Sequence, residues 1–248
     1  LVTIDMNKKI LITVVLLATM TVAKAQWQVG LTAGYSVNAL STDTRYAYDL
    51  NYGSRGGVAI GIPVAYSFND WFALRADAQF VQKNFKMHRS GFFDGFRYNQ
   101  RNSYFSLPVV AQFSFGGKRL RGFVNGGGYL GYWLSAHRKG ITCNDDETGE
   151  DNGYFLNDKN IVAYSEKVDF DSRRDNRFDA GVTAGAGVEY RLTPLIGLTA
   201  EVRHYYGLTN MYKNTTVGDP RYNTTWTFQA GCMIHLDKKN NKKKGQKQ

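Results

Sequence analysis

Cysteine is scarce: Cys143 and Cys232 are the two in 248 residues. The first falls in a polar segment and the second on an apolar strand face, so no disulfide is expected and a disulfide scaffold is excluded. Long apolar runs are absent after residue 22. That excludes membrane-spanning helices from the rest of the chain and leaves a barrel as its one way of crossing a bilayer. The four histidines, His88, His137, His204 and His235, show no metal-ligand spacing. No metal site and no cofactor is expected. Positive charge is also missing from most of the chain: the net charge is +10, but Lys238, Lys239, Lys242, Lys243, Lys244 and Lys247 crowd the last residues, and the body is near neutral. This basic tail, 238–248, reads as a solvated disordered segment.

Residues 1–25 carry an export signal. Met6-Asn7-Lys8-Lys9 is a short basic segment, Ile10 to Val22 is almost wholly apolar, and Ala23-Lys24-Ala25 has the small-x-small form of a signal peptidase site. Cleavage is expected before Gln26, and residues 1–5 precede the natural start. Export makes nucleic acid an unexpected partner. The expected organisation is a signal peptide over 1–25, a single domain over 26–237 and the basic tail.

Within that domain the side chains alternate with a period of two, the signature of strands with one apolar face. In the stretch Gly57 to Gln82 the apolar set is Val58, Ile60, Ile62, Val64, Tyr66 and Phe68, then Phe72, Leu74, Ala76, Ala78 and Phe80. Asn69-Asp70 between them suits a tight two-residue reverse turn. Further strands are predicted over 27–37, 105–115, 120–134, 178–190, 196–208 and 225–236, making eight. The segments 84–102 and 135–176 are expected to be irregular, with alternation at Val162, Tyr164, Glu166, Val168 and Phe170 predicting a strand that rises above a membrane.

Each segment is near the roughly 10 residues a tilted strand needs to cross a bilayer. Connections alternate long and short along the chain, as in outer-membrane barrels with long outer loops and tight periplasmic turns. Aromatics gather at strand ends: Trp27, Phe68, Trp71, Phe115 and Tyr190 near short turns, and Tyr35, Tyr132, Trp133, Phe178, Tyr206 and Trp226 near long connections. The fold class is therefore all-β, an eight-stranded antiparallel up-and-down transmembrane β-barrel, in the bacterial outer membrane with both termini periplasmic. A water-soluble barrel would have to pack these rows of Phe, Val, Leu and Tyr inside a lumen too small for them.

The chain resembles the family of small bacterial outer-membrane β-barrels that includes the PorT-like and OmpX/OmpA-like proteins. The resemblance rests on the signal peptide, on Val29-Gly30-Leu31-Thr32-Ala33-Gly34, on Asn125-Gly126-Gly127-Gly128-Tyr129-Leu130-Gly131-Tyr132 and on Ala184-Gly185-Ala186-Gly187-Val188-Glu189-Tyr190. It implies a role in binding, adhesion or envelope structure, or as a secretion accessory of the PorT kind. Outer-membrane lipid and lipopolysaccharide are expected partners, with a protein partner at the loops or the periplasmic tail.

Two constellations stand out. Arg75, Asp77, Glu189, Glu201 and Arg203 share the non-apolar face, and paired across a narrow lumen they would plug it. Phe92, Phe93, Phe96, Arg97 and Tyr98 combine aromatics with arginine, as recognition surfaces do. His204 has Tyr206 rather than Ser at the next same-face position, so no catalytic residue is assigned. The acidic run Asp145, Asp146, Glu147, Glu150 and Asp151 lacks an EF-hand spacing.

Overall fold

The computed structural model describes residues 26–42, 49–91, 94–143, 161–213 and 220–236. The predicted signal peptide, Phe92, Phe93, the acidic run and the basic tail lie outside the described residues. Ten strands form one antiparallel sheet: β1 (Gln26–Thr42), β2 (Leu50–Ser67), β3 (Phe72–Gln82), β4 (Phe85–Arg89), β5 (Arg97–Gly116), β6 (Leu120–Cys143), β7 (Ile161–Lys167), β8 (Phe178–Arg191), β9 (Ile196–Gly207) and β10 (Arg221–Leu236). β3 and β4 are successive parts of one stave, both lying between β2 and β5. β7 and β8 are likewise stacked against β6. The result is an eight-stave ring, closed where β1 pairs β10 from Trp27↔Leu236 to Thr42↔Arg221.

Alternation decides which face meets which medium. Leu31, Ile60, Leu130, Val182 and Phe228 all point outward and are about half exposed, whereas Arg75, Asp77, Gln79, Asn102, Arg203 and Thr227 point inward and are buried. Leu130 is 58% exposed and Arg203 0%, the inverse of a water-soluble protein. An apolar outer wall with a polar filling matches hydrocarbon outside. Rings pack on rings at the lower edge of this wall: Trp27 lies 4.9 Å from Tyr66, Tyr66 5.0 Å from Phe68, and Phe72 5.3 Å from Phe113. At the upper edge Tyr132 meets Phe178 at 5.8 Å and His204 meets Trp226 at 4.5 Å.

Local chemistry sets the three short turns. The chain reverses over 68–71, wider than the two residues expected, because the Asn69 carboxamide oxygen accepts the backbone N–H groups of Trp71 and Phe72 at 3.0 and 2.7 Å. Thr193 does the same for Leu195 and Ile196 at 3.2 and 3.0 Å. Between β5 and β6 the turn needs Gly116, whose φ of 117° lies where a side chain is strained.

At the other end the wall extends further than the alternation predicts. Residues 84–102 are not an irregular stretch: β4 and the start of β5 form a hairpin there. Nor is 135–143 irregular, because β6 runs on to Cys143, with β7 laid beside it through His137↔Lys167 to Cys143↔Ile161. Val168 and Phe170 lie past the end of β7 and pack instead against the buried cluster of Tyr104 and Trp133.

The φ of Gly116 separates two neighbouring glycines. Gly116→Ala is expected to cost about 1–3 kcal/mol, while Gly117→Ala, whose added carbon meets nothing nearer than 3.8 Å, is expected to be close to neutral. Urea unfolding of the chain in lipid vesicles, followed by tryptophan fluorescence, measures both.

Candidate functional site

β3 and β9 stand on opposite sides of the ring, and each turns two charged residues inward at i and i+2. Arg75 donates from Nε to Asp77 at 2.7 Å and from Nη1 to Glu201 at 2.9 Å. Across from it, Arg203 donates from Nε to Glu201 at 2.8 Å and from Nη1 to Asp77 at 2.7 Å. Each cation touches both anions and each anion both cations, so four charges form a closed alternating ring across the lumen. Asn125 adds a hydrogen bond to Glu201 at 2.8 Å.

Further pairs are stacked on either side. Toward the long loops, the Tyr205 hydroxyl donates to Gln79 at 2.9 Å. Beyond it the Lys83 ammonium meets Asp179 at 2.6 Å and sits 4.6 Å from the centre of the Tyr129 ring and 5.2 Å from that of Tyr104. Tyr129 and Thr209 each donate to the other oxygen of Asp179 at 3.3 Å. Toward the short turns, Glu189 is held by His235 at 2.7 Å and Arg191 at 3.3 Å.

The five lumen charges singled out from the sequence therefore separate: Arg75, Asp77, Glu201 and Arg203 meet, and Glu189 belongs to a different layer. Lys83 and Asp179 were missed, although both carry the inward parity of their strands. What hid them is distance along the chain. A partner 96 residues away is set by barrel register, which no local pattern reports.

Above these layers the extended strands surround a vestibule. Arg138 lies over the Tyr98 ring at 4.7 Å and donates to Gln100 from Nε at 3.3 Å and Nη2 at 3.1 Å. Arg221 lies between the rings of Tyr52 and Tyr212, at 5.0 and 5.1 Å. A cavity of about 350 Å³ opens here, lined by Gln100, Trp133, Arg138, Arg174, Tyr212 and Arg221 among others. Burial pushes the phenols of Tyr52 and Tyr98 above their usual range, against the pull of Arg221 and Arg138.

Of the predicted recognition residues, Phe96, Arg97 and Tyr98 lie among the described residues, and these three do not share one face. Phe96 is half-buried in the connection between β4 and β5, and Arg97 and Tyr98 occupy opposite faces of β5, one exposed and one facing the vestibule. His204, stacked on Trp226, stands on the outer wall.

An outward apolar belt, a closed ring of strands and a paired polar filling define the architecture, and the sequence agrees with it. Residues 21–213 match the family described as outer membrane protein beta-barrel domain. The chain belongs to this family. Its place is the bacterial outer membrane. The match ends before β10, whose ladder with β1 completes the ring. Among solved structures, this barrel is similar to Neisserial surface protein A, at 14% identity over 85% of this chain and 97% of that one, with a TM-score of 0.40. It is similar to Ail, the attachment invasion locus protein of Yersinia pestis, at 13% identity over 85% and 99%, with a TM-score of 0.40. OprG from Pseudomonas aeruginosa matches at 11% identity over 86% and 97%, with a TM-score of 0.46. No curated protein matches the sequence.

Removing one member of the four-charge ring leaves a buried charge without its partner, which costs about 3–5 kcal/mol. Arg203→Gln is expected to lower stability by that order. Adding Asp77→Asn in the same chain is expected to cost less than the sum of the two single changes, and a urea double-mutant cycle reads the coupling. The phenols of Tyr52 and Tyr98 titrate higher folded than unfolded, so their contribution is complete below about pH 10 and falls as pH rises further. Alkaline titration of tyrosinate absorbance, with Tyr52→Phe and Tyr98→Phe as subtractions, checks this.

Proposed function

We propose that this outer-membrane barrel is non-enzymatic and acts by binding at its long-loop end, with that end outside the cell and the short turns in the periplasm. In this arrangement both termini are periplasmic. The observation that carries the reading is the length of the wall. β6 has 24 residues and β5 has 20, against 11 in β3 and 12 in β9. About 10 residues suffice to cross the hydrocarbon, so roughly a dozen residues of β6, at about 3.4 Å each, are left to stand clear of it. Strands of that length serve no need of the membrane span. A sheet held in register by β4, β5, β6 and β7 is a preorganised surface, which lowers the entropic cost of binding relative to loops.

The filled lumen supports the same reading. A cross-lumen ring of paired charges, with Lys83 and Asp179 above it, leaves little room for solute passage in a barrel of this strand number. A purified chain in a planar bilayer is expected to give no stable conductance.

The competing reading is an accessory factor of the PorT kind, working through the short turns and the basic tail in secretion or envelope biogenesis. Two variants separate the two. In one, residues 90–96 are replaced by Asn-Gly, which shortens the β4–β5 hairpin without disturbing the barrel. In the other, Lys238 to Gln248 are removed. After cross-linking of intact outer membranes, partner proteins are expected to be lost from the first and retained by the second. Retention by the first and loss from the second would establish the accessory reading instead.

A further inference from the structure

The outer face of the projecting sheet concentrates cations. Register sets Arg101 of β5 beside His137 of β6, and His137 beside Lys167 of β7. One same-face step higher, Lys86 of β4 and Lys139 of β6 flank Asn99. Above them His88 is opposite Arg97. All of these side chains are exposed. Cross-strand neighbours are about 4.8 Å apart and same-face neighbours about 6.8 Å, so the cations share a patch about 14 Å across in each direction.

Elsewhere this chain pairs its buried cations with acids. Here, among the described residues, no carboxylate forms an ion pair with Lys86, Arg101, Lys139 or Lys167. The His137 ring bonds to the Ser165 hydroxyl, at 2.9 Å. Arg101 and Lys167 flank His137, and Lys86 and Lys139 flank Asn99, so like charges stand two strands apart, about 10 Å, and repel across that gap. An anion lying across the rows would offset that repulsion.

Height selects the anion. On β5 the next outward residues below Arg101 are Ser103 and then Phe105, and on β6 Leu134 and Tyr132 lie below His137, the last three on the apolar belt. The first cation row is thus about 5–10 Å above the belt edge once strand tilt is allowed for. The polar zone on each side of a bilayer's hydrocarbon is about 5–8 Å thick. The patch faces sideways into that zone, where lipid phosphates lie, and its upper rows reach beyond it, where only a lipid with a sugar headgroup extends.

We propose that this lateral patch binds the phosphorylated headgroup of an outer-leaflet glycolipid, with Arg101 and Lys167 on one phosphate level and Lys86 and Lys139 on the next. The assignment to the outer leaflet rests on the reading that the long-loop end is outside the cell. Binding itself is independent of orientation and is tested on the full chain folded in a non-ionic detergent. The probes are bis-phosphorylated lipid A, its phosphate-free analogue and inorganic phosphate, and the variant is Lys86→Gln, Arg101→Gln, Lys139→Gln and Lys167→Gln together. The changed side chains are exposed, and retained heat-modifiable gel mobility reports that the variant is folded. The expected result is binding of the bis-phosphorylated lipid at least tenfold tighter than of the phosphate-free analogue, a preference that salt weakens and the variant lacks. Equal binding by variant and parent, equal binding of the two lipids, or displacement by an equimolar amount of inorganic phosphate would each overturn the proposal. Orientation is read separately, by labelling Arg97→Cys, in a chain that also carries Cys143→Ser and Cys232→Ser, with a membrane-impermeant maleimide on intact cells. Labelling only after the outer membrane is opened would overturn the outer-leaflet assignment while leaving the micelle measurement intact.

Discussion

Every backbone N–H and C=O placed in hydrocarbon must find a partner within the protein, and in this chain that requirement falls on the ladder between β1 and β10. It runs without a break from Trp27↔Leu236 to Thr42↔Arg221. Without it a sheet would present two open edges to lipid; with it there are none in the belt. Closure also fixes which side chains meet. Once the ring is joined, β3 and β9 are opposite, and Arg75 and Asp77 meet Glu201 and Arg203.

What fills the ring is therefore electrostatic where a soluble domain would be apolar. The belt gains from contact with lipid tails, so the interior has no need of an oily core. It has to leave no buried charge alone. The layers satisfy this in turn, with His235 and Glu189 near the short turns, the four-charge ring, Tyr205 with Gln79, and Lys83 with Asp179. The four-charge ring and the Tyr205–Gln79 bond join β3 to β9, and so tie the wall together across its diameter.

The membrane-spanning part of this fold was legible in the sequence because hydrocarbon imposes strict alternation. Val58 to Phe68 and Phe72 to Phe80 show it plainly, and the inward parity of Arg75, Asp77, Glu201 and Arg203 follows from it. Above the belt both faces of a strand meet polar surroundings, and the pattern fades. That is why Phe85–Arg89 and Arg97–Asn102 read as irregular although they are a hairpin. The pairing of Lys83 with Asp179 was illegible for another reason: the two residues lie 96 apart in the chain, and no local pattern reports a contact set by barrel register. Parity alone placed both residues inside, but only the closed ring brings them together. Arg97 and Tyr98 show the converse, since alternation puts neighbours in sequence on opposite faces of one strand.

The unbroken length of β5 and β6 has a mechanical meaning. The two strands are paired from Arg97↔Ile141 down to Gly116↔Arg121, with a single bulge between Ser103 and Tyr104, so the same two strands form both the part outside the belt and the part within it. A pull on the tip along the strand axis loads the bonds between them side by side, in shear, and the load is shared among many. A flexible loop passes tension to the single residue at its base. This hairpin would instead hand it to the barrel wall as a whole, and the lipid belt would act as the footing.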